Sequence, residues 1–185
     1  MLIGKGCDVK ATDSMGKSAF HFVSANGYTD LVRQLLQPEY GVNPDQADHN
    51  GNTPLTFAVR RNHVLVVQIL LARNCRANCT LKIGGKEYPI FAFALHKGYV
   101  DLLRPLAEAG ADVGCYLSCV CQGWLSSTVL ENRALLDWLQ WIATTPKSLQ
   151  QLCRENIRRM LSCDLEADLE QVTLPTKLKD YIMME

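Results

Sequence analysis

Apolar residues recur along the first two thirds of this chain in paired blocks at helical spacing. The first block of each pair lies at residues 18–28, 53–63 and 89–99, where Phe22, Phe57 and Phe93 hold matching places 35 and then 36 residues apart. The second blocks carry Leu31, Val32, Leu35 and Leu36, then Val64, Val67, Leu70 and Leu71, then Val100, Leu103 and Leu106. Apolar positions three and four apart share one face of a helix, so each unit predicts a pair of short helices. Thr53 supplies a hydroxyl cap for its helix, and Pro54 suits the first helical position, where no amide bond is lost. Gly27, Asn62 and Gly98 stand where the first helix of each unit must stop, and these residue types tolerate the left-handed turn. Pro105 falls inside a second helix, where proline costs about 3 kcal/mol, and it predicts a kink or an early end.

Repetition decides the architecture. The run Asp48-His49-Asn50-Gly51-Asn52-Thr53-Pro54-Leu55-Thr56 resembles the Asp-x-x-Gly-x-Thr-Pro-Leu-His signature of ankyrin repeats, and the resemblance covers roughly residues 1–113. The usual period is about 33, so the extra residues belong in loops, placed at 37–40 and 82–86. Residues 2–11 resemble the tail of an ankyrin unit that lacks its helices, and nothing before Ala19 caps the stack. A truncated product or an incomplete gene model is therefore expected. Beyond residue 113 the pattern decays. The apolar run 127–143 reads as a degenerate last repeat, over 114–145, whose terminal helix closes the stack.

Past Pro146 a further amphipathic helix is predicted. Leu149, Leu152, Cys153, Ile157 and Met160 fall within one arc of about 140°, opposite Gln151, Glu155, Arg158 and Arg159. A segment shorter than about 40 residues seldom folds unaided, so another surface must cover that face. The spacing of Ser148-Leu149, Cys153 and Ile157 resembles the elongin-binding box of the SOCS-box family, and 172–182 resembles its closing part, with Leu174-Pro175 and Leu178-Lys179-Asp180-Tyr181 matching. Val172-Thr173 stands where relatives carry a Leu-Pro pair. The resemblance implies that Leu149, Leu152, Cys153 and Ile157 contact elongin C, and that Leu174, Pro175, Leu178 and Tyr181 face a cullin. The implied fold is all-α: an ankyrin-repeat solenoid followed by a small three-helix SOCS box over 146–185.

Composition narrows the classes of function. The 19 basic and 19 acidic residues cancel, so no overall field favours nucleic acid or an anionic membrane, and no charge preference in a partner is indicated. Arg60-Arg61 and Arg154-Arg158-Arg159 read as solvated helix faces. No apolar run approaches the roughly 18 residues of a membrane span. The first residues lack a secretory apolar region, so a soluble protein of the cytoplasm, with the nucleus open to it as well, is expected. The eight cysteines are scattered through helical segments, which fits reduced thiols better than a disulfide scaffold. Cys115, Cys119 and Cys121 cluster without the paired spacing or fourth ligand that zinc requires, so no metal and no cofactor is expected.

Catalysis has no evident constellation. His21 sits at the histidine of the repeat signature, His63 at that of the repeat's Gly-His pair, His49 at a loop tip and His96 on an exposed helical turn, which leaves no partner for a nucleophilic cysteine. The resemblance thus implies a non-catalytic adaptor. Elongin B and elongin C would join it to a cullin with its RING subunit, and a target protein would sit on the concave ankyrin face near Met15, His49, Asn50 and Gly85. The alternative is a plain ankyrin interaction scaffold outside any ligase.

Overall fold

A computed structural model describes residues 8–145. The helices are α1 (Ala19–Asn26), α2 (Thr29–Leu35), α3 (Pro54–Arg60), α4 (Val64–Ala72), α5 (Ile90–Lys97), α6 (Val100–Glu108), α7 (Cys115–Cys121), α8 (Ser127–Glu131) and α9 (Arg133–Thr144). Two strands, β1 (Thr80–Ile83) and β2 (Lys86–Pro89), form an antiparallel hairpin between α4 and α5. The expected all-α solenoid is present across these residues; the expected three-helix tail lies outside them.

The helix boundaries follow from local chemistry. The Thr56 amide donates to the Thr53 hydroxyl at the start of α3, with Pro54 in the first turn. At the start of α1 the Ser18 amide donates to Nδ1 of His21 at 3.0 Å, so the imidazole takes the part that a carboxylate or amide usually plays in a capping box. Gly27, Asn62 and Gly98 all adopt left-handed backbone, at φ 74°, 57° and 73°. These are the stops that the sequence places there.

Helices α1, α3, α5 and α7 pack side by side in one layer, and α2, α4 and α6 in a second. Each unit contributes one helix to each layer, so the apolar stripes of both meet between them. Phe20, Leu55, Val59, Phe91 and Leu95 from the first layer and Val32, Leu35, Val67, Leu70, Leu102 and Leu106 from the second are buried there, none more than 2% exposed. Full burial of such side chains contributes roughly 1.5–3 kcal/mol each, which is what holds helices too short to persist alone. After the third pair, α7 packs on α5, and α9 on α7 and α8. Asn132 breaks the run 127–143 into α8 and α9, its side-chain oxygen accepting from the Leu135 amide at 3.1 Å.

Two local expectations are corrected. Residues 82–86, expected as a loop, complete the β hairpin, with Gly84 and Gly85 as its two-residue turn at φ 58° and 79°. Paired positive φ is the geometry that matches the twist of a tight hairpin, and Leu81 buries its side chain to fix the register. Helix α6 does not end early at Pro105 but continues to Glu108. Leu102, Leu103 and Leu106 are completely buried around the proline, and that packing outweighs one missing amide bond.

Candidate protein-docking surface

Each helix pair is preceded by a tight turn that projects from the stack. Asp13 builds the first, its carboxylate accepting the Met15 and Lys17 amides, both at 2.8 Å. Asp48 repeats this, accepting from the amides of Asn50 at 2.9 Å and Asn52 at 2.8 Å. The Lys17 amide, foremost among these donors, holds the Asp13 carboxyl below its ordinary pKa. Neighbouring tips are stitched together. The His49 amide donates to the Met15 carbonyl at 2.9 Å, and the Lys82 amide to the Asn52 side chain at 3.3 Å. Gly16 is required at this junction. With φ at 76°, a Cβ there would lie 2.6 Å from the His49 ring.

Met15, His49 and Asn50 are all exposed on two adjoining tips. Gly85 is exposed on the third, at the end of the hairpin, where a Cβ would meet nothing within 4 Å. Backbone amides consume most of the polar capacity of the first two tips, which makes them rigid ledges.

The exposed side of α1, α3 and α5 has a different chemistry. The unit period stacks Phe22, Phe57 and Phe93 into one column, Ala25, Arg60 and His96 into a second, and Asn26, Arg61 and Lys97 into a third. Phe22 is 49% exposed, Phe57 half-buried and Phe93 buried. The Lys17 ammonium lies 5.4 Å from the centre of the Phe57 ring, and that of Lys97 5.9 Å from Phe93. Trp124, just beyond α7, closes the row at 42% exposure, with the Tyr88 and His96 rings each 6.0 Å away. His96 Nδ1 also lies 3.2 Å from the Trp124 carbonyl. None of α1, α3, α5 or α7 carries a carboxylate. The neutral total therefore conceals a one-sided distribution. Sequence inspection placed Arg60 and Arg61 on a solvated face but did not place Phe22, Lys97 and Trp124 beside them; the unit period was the signal available for doing so.

The remaining histidines are structural. His21 is buried, with its ring edge-on to Phe57 at 5.8 Å between centres, and burial pushes its pKa below the ordinary histidine value. His63 Nε2 lies 3.0 Å from the Ala25 carbonyl and so ties the second unit to the first. Burial also pushes the thiols up, Cys79 to about 11 and Cys115 to about 12, with Cys119 raised as well. Such thiols stay protonated near neutral pH and are poor nucleophiles. Among the described residues, no three His, Cys, Asp or Glu side chains converge as metal ligands. No described helix is long and apolar enough to cross a membrane.

The residues assigned to elongin contact, Leu149, Leu152, Cys153 and Ile157, lie outside the described residues, as do Leu174, Pro175, Leu178 and Tyr181. Comparison with known families reaches that segment. Residues 1–83 match a family model for ankyrin repeats (three copies), and residues 145–183 match that for the SOCS box. The chain is similar to the ankyrin repeat protein nuc-2 of Neurospora crassa, 28% identical over 60% of this chain and 10% of that one. It is also similar to the E3 ubiquitin-protein ligase KEG of Arabidopsis thaliana, 31% identical over 56% of this chain and 6% of that protein. The B-cell lymphoma 3 protein homolog of Mus musculus is 29% identical over 78% of this chain and 31% of its own length. The chain thus spans less than a third of each of these relatives.

Proposed function

The chain belongs to the ankyrin-repeat and SOCS box proteins, and from that premise we propose that it is a substrate-recognition adaptor of a cullin-RING ubiquitin ligase. Both modules are non-catalytic interaction domains, so the adaptor itself does no chemistry. One observation carries the reading: a SOCS box at 145–183 follows an ankyrin stack whose first helix layer has an exposed side among the described residues.

In this assignment Leu149, Leu152, Cys153 and Ile157 form the apolar stripe that enters elongin C, which brings elongin B with it. Leu174, Pro175, Leu178 and Tyr181 face the cullin and its RING subunit, with Val172-Thr173 altering which cullin is preferred. The ankyrin layer holds a target protein, for which Met15, His49, Asn50 and Gly85 offer the projecting tips. Holding target and charged carrier in one assembly raises their effective concentration, and that is the adaptor's whole contribution to rate. The compartment follows from the partners: the cytoplasm, with the nucleus open to it as well.

Co-expression of the full chain with elongin B and C tests this. Leu149→Ala should weaken elongin binding by about 2–4 kcal/mol, as loss of a central apolar anchor does. Undiminished co-purification of elongin C with that variant would leave a plain interaction scaffold as the better account.

A further inference from the structure

The chemistry of the target is written on the first helix layer, a deepening that rests on the adaptor reading just given. Arg61 and Lys97 are exposed at equivalent places at the ends of neighbouring helices, Arg60 is exposed next to Arg61, and the half-buried Lys17 lies over Phe57. None of the four forms an ion pair among the described residues; the one pair there joins Lys82 and Glu87 at the hairpin, 3.0 Å apart. Unpaired cations grouped on one face, with no carboxylate on any helix of that layer, raise a local positive field that the neutral total hides. The Asp13 and Asp48 carboxylates keep their charge in the turns before α1 and α3, where Asp13 acts on Lys17, whereas Arg60, Arg61 and Lys97 stand at the opposite, C-terminal ends of α3 and α5. Exposed aromatics bound the cationic stretch, Phe22 on α1 and Trp124 after α7.

We propose that the exposed face of α1, α3 and α5 binds an extended acidic segment of the target, its carboxylates against Arg60, Arg61 and Lys97 and its apolar ends on Phe22 and Trp124. Spacing sets the length. Packed helices lie about 8–10 Å apart, and an extended chain advances about 3.3 Å per residue, so one helix step takes about three residues. Phe22 stands on α1, and Trp124 lies just past α7 with its ring against His96 of α5, so two to three such steps separate them, which calls for about six to nine residues with acidic side chains at every third position. Nucleic acid fits less well. Four cations give a small counterion-release gain, and a phosphate backbone has no use for a half-exposed phenylalanine set apart from the charges.

The experiment uses the purified full chain and three fluorescein-labelled probes. One is a twelve-residue peptide with Phe near each end and Glu at every third position between. The second is the same peptide with Lys for Glu, and the third a twelve-nucleotide single strand of DNA. The acidic peptide should bind best, at least tenfold more weakly at 300 mM salt than at 50 mM, since exposed charge pairs are screened. Arg60→Glu, Arg61→Glu and Lys97→Glu combined should weaken it more than tenfold, and the milder Arg61→Gln with Lys97→Gln should weaken it several-fold with an unchanged thermal melt. Arg33→Glu with Arg73→Glu, in the second layer and the loop after it, should leave binding as it was. Equal binding of the lysine peptide, tighter binding of the DNA, no binding of any probe, or equal loss in the second-layer variant would each overturn the proposal. Elongin capture by the charge-reversed chain is scored separately, so failure of the docking face and failure of the adaptor reading give different results.

Discussion

Gly27→Ala tests how the first two units are joined. Gly27 ends α1 with φ at 74°, and a Cβ placed there would lie 2.6 Å from His63 Nδ1, 2.8 Å from Cε1 and 3.0 Å from Cγ. Two costs follow. Left-handed backbone costs an alanine about 1–2 kcal/mol, of which the reduced freedom of the unfolded chain returns roughly 0.4–1. The imidazole must also move, and its 3.0 Å contact with the Ala25 carbonyl is lost, worth about 0.5–1.5 kcal/mol. The sum is about 2 kcal/mol of destabilisation. Gly85→Ala is the internal control, because its φ is 79° but a Cβ meets nothing within 4 Å, so only the backbone part applies, about 1 kcal/mol. Urea denaturation followed by circular dichroism, with Gly27→Ala also made in a His63→Ala background, separates the two parts. In that background the cost should fall to that of Gly85→Ala. Gly27→Ala no more damaging than Gly85→Ala, or undiminished by removal of His63, would refute the reasoning.

Two further outcomes follow from buried groups. His21 has its pKa lowered in the folded state, chiefly by burial, so the unfolded chain takes up a proton first as pH falls below the ordinary value of about 6.5. Stability should therefore be complete above that value and decline as pH drops through it towards the folded pKa. A His21→Leu chain should lack this part of the slope when melting temperature is followed from pH 7.5 to 5.5; an unchanged slope would contradict the assignment. Among the described cysteines, a disulfide-exchange reagent at pH 8, mapped by mass spectrometry, should modify exposed Cys121 first. Cys79 and Cys115, with thiols raised to about 11 and about 12, should react at comparable rates only after denaturant is added.

The helix ends were legible because each depends on a few neighbouring atoms. Thr53, Gly27, Asn62 and Gly98 act through their own backbone or through amides three residues away, and the pattern that predicted them needs nothing distant. The hairpin at 80–89 was not, since Gly84-Gly85 marks a loop and a two-residue strand turn equally well until Leu81 finds a core to enter. Pro105 misled for the opposite reason: a local penalty of about 3 kcal/mol is smaller than the burial of three leucines around it. The phenylalanine column shows the same limit. Phe22, Phe57 and Phe93 occupy one position in the repeat, yet the first is half-exposed and the last is buried, with the Tyr99 ring 6.3 Å away and the Lys97 ammonium over it.

By itself, then, the sequence determined that this is a stack of paired helices, because periodic burial and capping are properties of short stretches of chain, and the motifs past Pro146 marked the SOCS box by resemblance to that family. Which side of the stack carries charge was settled only by tertiary structure. The 19 cations and 19 carboxylates cancel in any count, and only packing α1, α3 and α5 into one layer brings Arg60, Arg61 and Lys97 together while leaving Asp30, Asp101 and Glu108 on the helices of the other. Electrostatic potential depends on where charges end up in space, and that is fixed by which helix faces the core must bury.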